Sequence, residues 1–220
     1  MIIPLSYPLS TKTPIYPNTP GPVICPLRSI DQGDSANTST ITFSNHSGTH
    51  LDAPSHFCKE GATIADYLMR DTQFFPAYYI DIPKRESGEI CVSDLEGSIS
   101  HVQDAEALLI RTGWHTIRSD DPERYCNDHP WVLPEVPQYL REKCPRLRLF
   151  GLDQISVSSV LHRETGHACH RKFLCDEKSI LLLEDLNLSD TRIKGAFRMH
   201  IYPYFIEDID GVPVIVIAEI

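Results

Sequence analysis

Hydrophobic and polar positions change places over short distances along this chain, which is a pattern of strands more than of long helices. Thr40, Ile41, Thr42 and Phe43 alternate polar with apolar, as a half-buried strand does, and lead into Asn45 and His46. The first histidine of the segment is therefore expected at a strand end. Ala105 to Ile110 is an apolar run closed by Arg111, Thr112 and Gly113, and Leu147 to Leu152 is another closed by Asp153. Both read as buried strands that end in functional loops. Ile180 to Leu183 runs into Glu184, and Val212 to Ile217 reads as a closing strand. Leu133 to Cys144 predicts a short helix, with Pro134 in its first turn and Pro145 just past its end. The proline-rich first forty residues, with the polar run Asp31 to Thr40, predict extended edge segments and loops. No repeat, low-complexity tract or linker divides the chain, so one mixed α/β domain over residues 1–220 is expected.

Composition narrows the function classes. With 220 residues, 41% hydrophobic and 23% charged, the chain can bury a core without a metal or disulfide to hold it. Any metal cluster then needs a chemical reason. Thirty acidic against twenty basic residues give a formal charge of -10, the wrong sign for neutralising a phosphate backbone, so nucleic acid is not an expected partner. The N-terminus lacks a basic leader, and no run of about 20 apolar residues could span a membrane. A cytoplasmic protein is expected. The seven cysteines are odd in number, widely spaced and without a CxxC pair, and read as reduced thiols. The competing reading, zinc ligation by Cys58, Cys169 or Cys175 near histidines, lacks the paired spacing such sites use.

Three of the ten histidines, with Asp52, fall in the eleven residues His46 to His56. Imidazoles with a carboxylate are the donors a borderline-soft divalent ion takes. On a helix His46 and His50 would share a face, but Asp52 lies about 200° beyond His50 and would point away. On a straight strand His46 and Asp52 would stand roughly 20 Å apart, too far to share an ion. The chain must bend between them, and Gly48 supplies the freedom to do so, with Pro54 stiffening the exit. A second region holds His167, His170 and Glu184. A glutamate that closes an apolar strand has either an ion or an arginine as partner when buried, or else is a solvated strand end. His167 and His170 could equally share one helical face.

The segment HSGTHLDAPSH matches HxGTHxDAPxH without a mismatch and resembles the signature of the metal-dependent cyclase family, which includes bacterial kynurenine formamidases and isatin hydrolases. The resemblance extends to PLSTKTPIYPNTP near the start, LLIRTGW at 108–114, LFGLDQISV at 149–157, HRKFL at 170–174 and LLLEDLNL at 181–188. It implies a swivelling β/β/α fold and a small-molecule amide hydrolase, with N-formylkynurenine as leading substrate. The metal ligands it implies are His46, His50, Asp52, His170 and Glu184, with both carboxylates bridging two ions, and His56 as general acid/base. Two zinc ions are expected, manganese tolerating the same donors; isatin-type hydrolysis of a lactam or lactone at a single ion is the alternative. The implied chemistry is attack of a metal-bound hydroxide on the acyl carbon, with His56 returning a proton to the leaving nitrogen. A homodimer or homotetramer is implied as well.

Some positions depart from the family pattern. The stretch from His170 to Glu184 is longer than usual, which leaves His167 as a competing ligand. Tyr16 stands where a tryptophan faces substrate, and Ser158 where an aspartate is common. Tyr16, Phe74, Phe75, Tyr78, Tyr79 and Trp114 are candidate pocket aromatics, and Tyr202 to Phe205 is read as core or subunit interface. Ser47, Ser55 and the cysteines are weaker nucleophile candidates, since no oxyanion hole or orienting carboxylate is visible for them. A metal-stabilised binding protein without turnover is the reading from a different class.

Overall fold

In the computed structural model, which describes residues 1–68 and 72–220, the apolar runs alternate between two cores. The strands in chain order are β1 (Ile2–Pro4), β2 (Val23–Arg28), β3 (Thr38–Thr42), β4 (His50–Asp52), β5 (Gln73–Asp81), β6 (Glu89–Ile90), β7 (Ala107–Arg111), β8 (Trp131–Val132), β9 (Leu149–Leu152), β10 (Leu181–Glu184), β11 (Phe197–Pro203) and β12 (Gly211–Glu219). The helices are α1 (Ile64–Leu68), α2 (Val92–Ile99), α3 (Pro122–Asn127), α4 (Val136–Lys143) and α5 (Arg163–Leu174). Eight strands form one sheet in the order β1-β12-β11-β5-β7-β9-β10-β4, and β4 also pairs with β12, so the sheet closes on itself. Strands β5, β7, β9 and β10 are parallel neighbours. The result is a mixed α/β fold built on a barrel-like sheet.

Period-two alternation decides what each strand faces. Leu109, Leu149, Leu181, Leu183 and Leu51 join the core inside the closed sheet. Their neighbours Leu108, Ile110, Phe150, Leu152 and Leu182 pack outward against α2, α4 and α5 through Leu95, Leu140, Cys169 and Phe173. Each fully buried leucine contributes about 1.5–3 kcal/mol. Because Leu51 and Leu183 point inward, His50, Asp52 and Glu184 must point outward, beneath α5. The candidate ligands thus share a face by strand geometry alone.

Directly after Glu184, the buried Asp185 fixes the end of β10. Arg118 donates to it from Nε at 2.6 Å and from a terminal nitrogen at 2.5 Å, and the Tyr125 hydroxyl donates at 2.6 Å. The Tyr7 ring lies 3.9 Å from the Arg118 guanidinium. This buried pair is satisfied on both sides, the condition under which such pairs persist in a core.

Four sequence expectations are corrected. Strand β3 forms, but it pairs with β2 in a separate hairpin whose residues are all exposed, so it is not half-buried and does not end at His46. Its alternation is real, yet nothing among the described residues covers the apolar side. The predicted helix starts later, at Val136, with Pro137 in its first turn. Tyr202, Tyr204 and Phe205 are exposed, which excludes the core reading. Cys58 and Cys175 form a disulfide, with Cα atoms 5.6 Å apart across 117 residues of chain, so not all seven cysteines are reduced. Cys58 follows the 3-10 turn Pro54–His56 and Cys175 caps α5, and packing α5 over that turn brings the two together. No described helix is long and apolar enough to cross a membrane.

Two outcomes are expected. Arg118→Ala leaves Asp185 buried without its partner and lowers unfolding free energy by about 3–5 kcal/mol in urea titration; a loss below 1 kcal/mol would contradict the role given to this pair. Thiol titration of denatured, unreduced protein reads the five cysteines outside the bond, Cys25, Cys91, Cys126, Cys144 and Cys169, and a full complement of seven only after reduction.

Candidate metal centre

Gly48 takes a left-handed φ of 64° in the turn before β4, and this turn folds His46 back over the strand. The bend required by the sequence is therefore made where glycine permits it. The turn is pinned by the Thr49 hydroxyl, which donates to the Asp185 carbonyl at 2.6 Å. His46 Nδ1 then lies 2.8 Å from Asp52 Oδ1. Register does the rest: Glu184 pairs with His50 across β10 and β4, and Gly211 pairs with Asp52 across β12 and β4. A Cβ on Gly211 would collide with His46 Cε1, so only glycine leaves room for the ring. From above, α5 lowers His170 onto the two carboxylates.

Asp52 and Glu184 are 1% and 3% exposed and lie among imidazole nitrogens. His50 Nε2 is 3.5 Å from Asp52 Oδ1 and 3.4 Å from Glu184 Oε2. His170 Nε2 is 3.6 Å from Glu184 Oε1 and 3.9 Å from Asp52 Oδ2. Two donors each about 2.1 Å from a tetrahedral ion stand about 3.4 Å apart, so most of these gaps have the width of an ion's coordination edge. Both rings are held from behind. His50 Nδ1 donates to the Gly48 carbonyl at 2.8 Å, and His170 Nδ1 to the Gly166 carbonyl at 3.1 Å, with Ser158 Oγ also at 3.1 Å. Such backing turns Nε2 toward a metal.

The donor set fits a divalent cation on a further observation. Asp52 Oδ2 is buried and has no hydrogen-bond partner among the described residues, an orphaned atom aimed into the cage. Burial works against the charge of Glu184, but the neighbouring imidazoles, His170 first and then His50, hold it below the usual carboxylate range. Asp52 is held low against burial by His46. Burial alone would keep His46 neutral, yet Asp52, followed by the bond to Asp210, pushes it up to about 10. A proton on His46 offsets carboxylate charge, and a divalent ion would take over that task by displacing it. Donor atoms of His50, Asp52 and Glu184 lie within 4.8 Å of one another, and so do those of His46, Asp52 and His56. Asp52 belongs to both groups.

A cavity of about 260 Å³ opens over this cage. Tyr16, His46, His50, Asp52, His56, His170 and Glu184 all line it, so the expected ligands, the expected acid/base and Tyr16 are brought to one place. His167 lines it too, but from the exposed side of α5. Ser158 also lines the cavity, and its hydroxyl braces His170. The other aromatic candidates do not line it: Phe74 and Trp114 are buried elsewhere, Phe75 is exposed, and Tyr78 and Tyr79 pack on the sheet. The loop after β9 contributes Ile155 and Ser156, whereas that after β7 is tied down by Asp153, which accepts from Thr112 Oγ1 at 2.6 Å and from Gly113 N at 3.0 Å.

Sequence reasoning missed Phe57, Arg163 and Asp210. Phe57 stacks on His170 with ring centres 4.6 Å apart, and Arg163 stands at the start of α5 on the cavity edge. Asp210 accepts from His56 Nδ1 at 2.6 Å and from His46 Nε2 at 3.1 Å. These two bonds, that from His46 first, hold its carboxyl below the usual range. Only the position of Asp210, just before a predicted strand, could have pointed to it.

Residues 3–159 match the family model described as "Putative cyclase". A kynurenine formamidase of Bacillus anthracis is 30% identical over 214 residues, covering 96% of this chain and 94% of that protein. An enzyme of the same name from Bacillus cereus is 33% identical over 188 residues, covering 84% and 81%. Isatin hydrolase A of Labrenzia aggregata, solved with benzyl benzoate, superposes with a TM-score of 0.83 at 22% identity, over 99% of this chain and 93% of that one. The chain belongs to the cyclase family.

Proposed function

We propose that this protein is a divalent-metal-dependent hydrolase that splits the C–N bond of an arylformamide of the N-formylkynurenine type. The carrying observation is the convergence of two buried carboxylates, Asp52 and Glu184, with the Nε2 atoms of His50 and His170. In this reading His46, His50, Asp52, His170 and Glu184 would hold two zinc ions, and manganese suits the same donors. Bound there, a divalent ion acidifies water and polarises the substrate carbonyl.

The remaining chemistry belongs to side chains. The reaction consumes one water and yields the free arylamine and formate. His56, at the cavity wall with Nδ1 bonded to Asp210, takes the water's proton at Nε2 and returns it to the leaving nitrogen. Tyr16, Phe57 and Ile155 offer apolar surface to an aryl ring. Arg163 at the edge complements an anionic tail, which N-formylkynurenine carries in its carboxylate and isatin lacks. The likeness of fold to isatin hydrolase A supports a second reading, opening of a lactam or lactone ring at a single ion. The wholly exposed β2–β3 hairpin and the exposed Tyr202, Tyr204 and Phe205 support a homodimer or homotetramer, since such apolar surface needs a cover.

His56→Ala is expected to lower kcat on N-formylkynurenine by about 100-fold or more with zinc content unchanged; unaltered turnover would take the acid/base role from His56, and only a zinc-loaded wild type without turnover would leave a metal-stabilised binding protein as the better account. Elemental analysis after zinc loading is expected to give near two equivalents per chain, and fewer than about 1.5 favours the single-ion reading. Rates on formanilides above those on isatins are expected, and the reverse order would transfer the assignment to the lactam reading.

A further inference from the structure

Asp210 and Gly211 arrive at the site from the far end of the chain, and their placement is rigid. The Asp210 carbonyl accepts from Ala53 N at 2.8 Å, and the preceding carbonyl of Ile209 accepts from Ile64 N at 3.0 Å. Gly211 begins β12 opposite Asp52. The carboxylate is oriented as well, because Asn45 Nδ2 donates to Oδ1 at 2.7 Å. Its other oxygen, Oδ2, faces two imidazoles at once, His56 at 2.6 Å and His46 at 3.1 Å. His56 makes no other side-chain hydrogen bond among the described residues; around it stand the rings of His46 at 4.1 Å and Phe57 at 4.7 Å.

An ionised carboxylate can only accept a hydrogen bond, so the ring proton facing Asp210 must sit on Nδ1. The lone pair of His56 is then confined to Nε2, the nitrogen left to the cavity. We propose that Asp210 is the positioning residue of the reaction: it fixes the tautomer and orientation of His56, and steadies an imidazolium once the ring has taken a proton. A freely turning His56 would present the wrong nitrogen for part of the time, and a histidine without an acceptor at Nδ1 would carry its proton on the wrong side. The arrangement has the logic of a base oriented by a third group, reached here without a nucleophilic side chain. This inference rests on the hydrolase reading above, and its test includes a measurement independent of turnover.

The probe is Asp210→Asn, an isosteric change that keeps a partner for Asn45 yet can offer an N–H to the ring. At one fixed pH, long-range proton–nitrogen spectra of the zinc-loaded protein, with His56 signals identified from their loss in His56→Gln, are expected to show the Nδ1-protonated form in the wild type. That form is lost in the variant. On N-formylkynurenine kcat is expected to fall about 10- to 100-fold, with KM within about twofold and zinc content unchanged. Asp210→Ser carries the same expectation should the asparagine variant fail to fold. A His56 tautomer unaltered by either change overturns the proposal, and so does a loss of kcat that merely tracks lost zinc, since Asp210 would then act through His46. A wild type that hydrolyses no arylformamide refutes the functional reading, while the spectra still decide what Asp210 does to His56.

Discussion

Two carboxylates of like charge, Asp52 and Glu184, are buried side by side on neighbouring strands, and much of the surrounding structure answers to that constraint. Like charges removed from water repel each other and lose hydration, so they persist only with cationic partners close at hand. Imidazoles of His46, His50 and His170 surround them. Strand β4 is three residues long, yet it is clamped by β10 on one side and β12 on the other, so the carboxylates have little freedom to separate. The cost of assembling this charge is carried by the two leucine-rich cores, which need no help from the site.

From that constraint the division of labour follows. Backbone carbonyls behind His50 and His170 aim Nε2 inward, the Gly48 turn returns His46 to Asp52, and Gly211 leaves the space that its ring fills. A cation and a set of protons are alternative ways to neutralise the same cage. The chemistry is therefore concentrated on the outer face of the sheet, where α5 covers the carboxylates and the cavity admits a small substrate.

The sequence made the core of this site legible because its information is local. Eleven residues carry four of the converging side chains, and the distance argument that required a bend at Gly48 is met by its positive φ. The strand runs were legible too, since alternation between inner and outer faces survives in the packing of Leu108 and Leu109. What escaped detection depends on contacts between distant segments. The Cys58–Cys175 bond spans 117 residues, and the hydrogen bond from His56 to Asp210 spans 154. Neither spacing nor composition encodes such proximity. The hairpin misled for another reason: Ile41 alternates as a buried strand residue does, but burial depends on a covering surface, and the described residues supply none.

The account depends most on whether the carboxylate cage is a metal site. Anomalous diffraction at the zinc edge, from crystals of the zinc-loaded protein, addresses this directly. The expected result is a peak about 2.0–2.2 Å from donor atoms of His50, Asp52 and Glu184, with a second sharing Asp52. No peak in the cage, with His46 still donating to both Asp52 and Asp210, would contradict it.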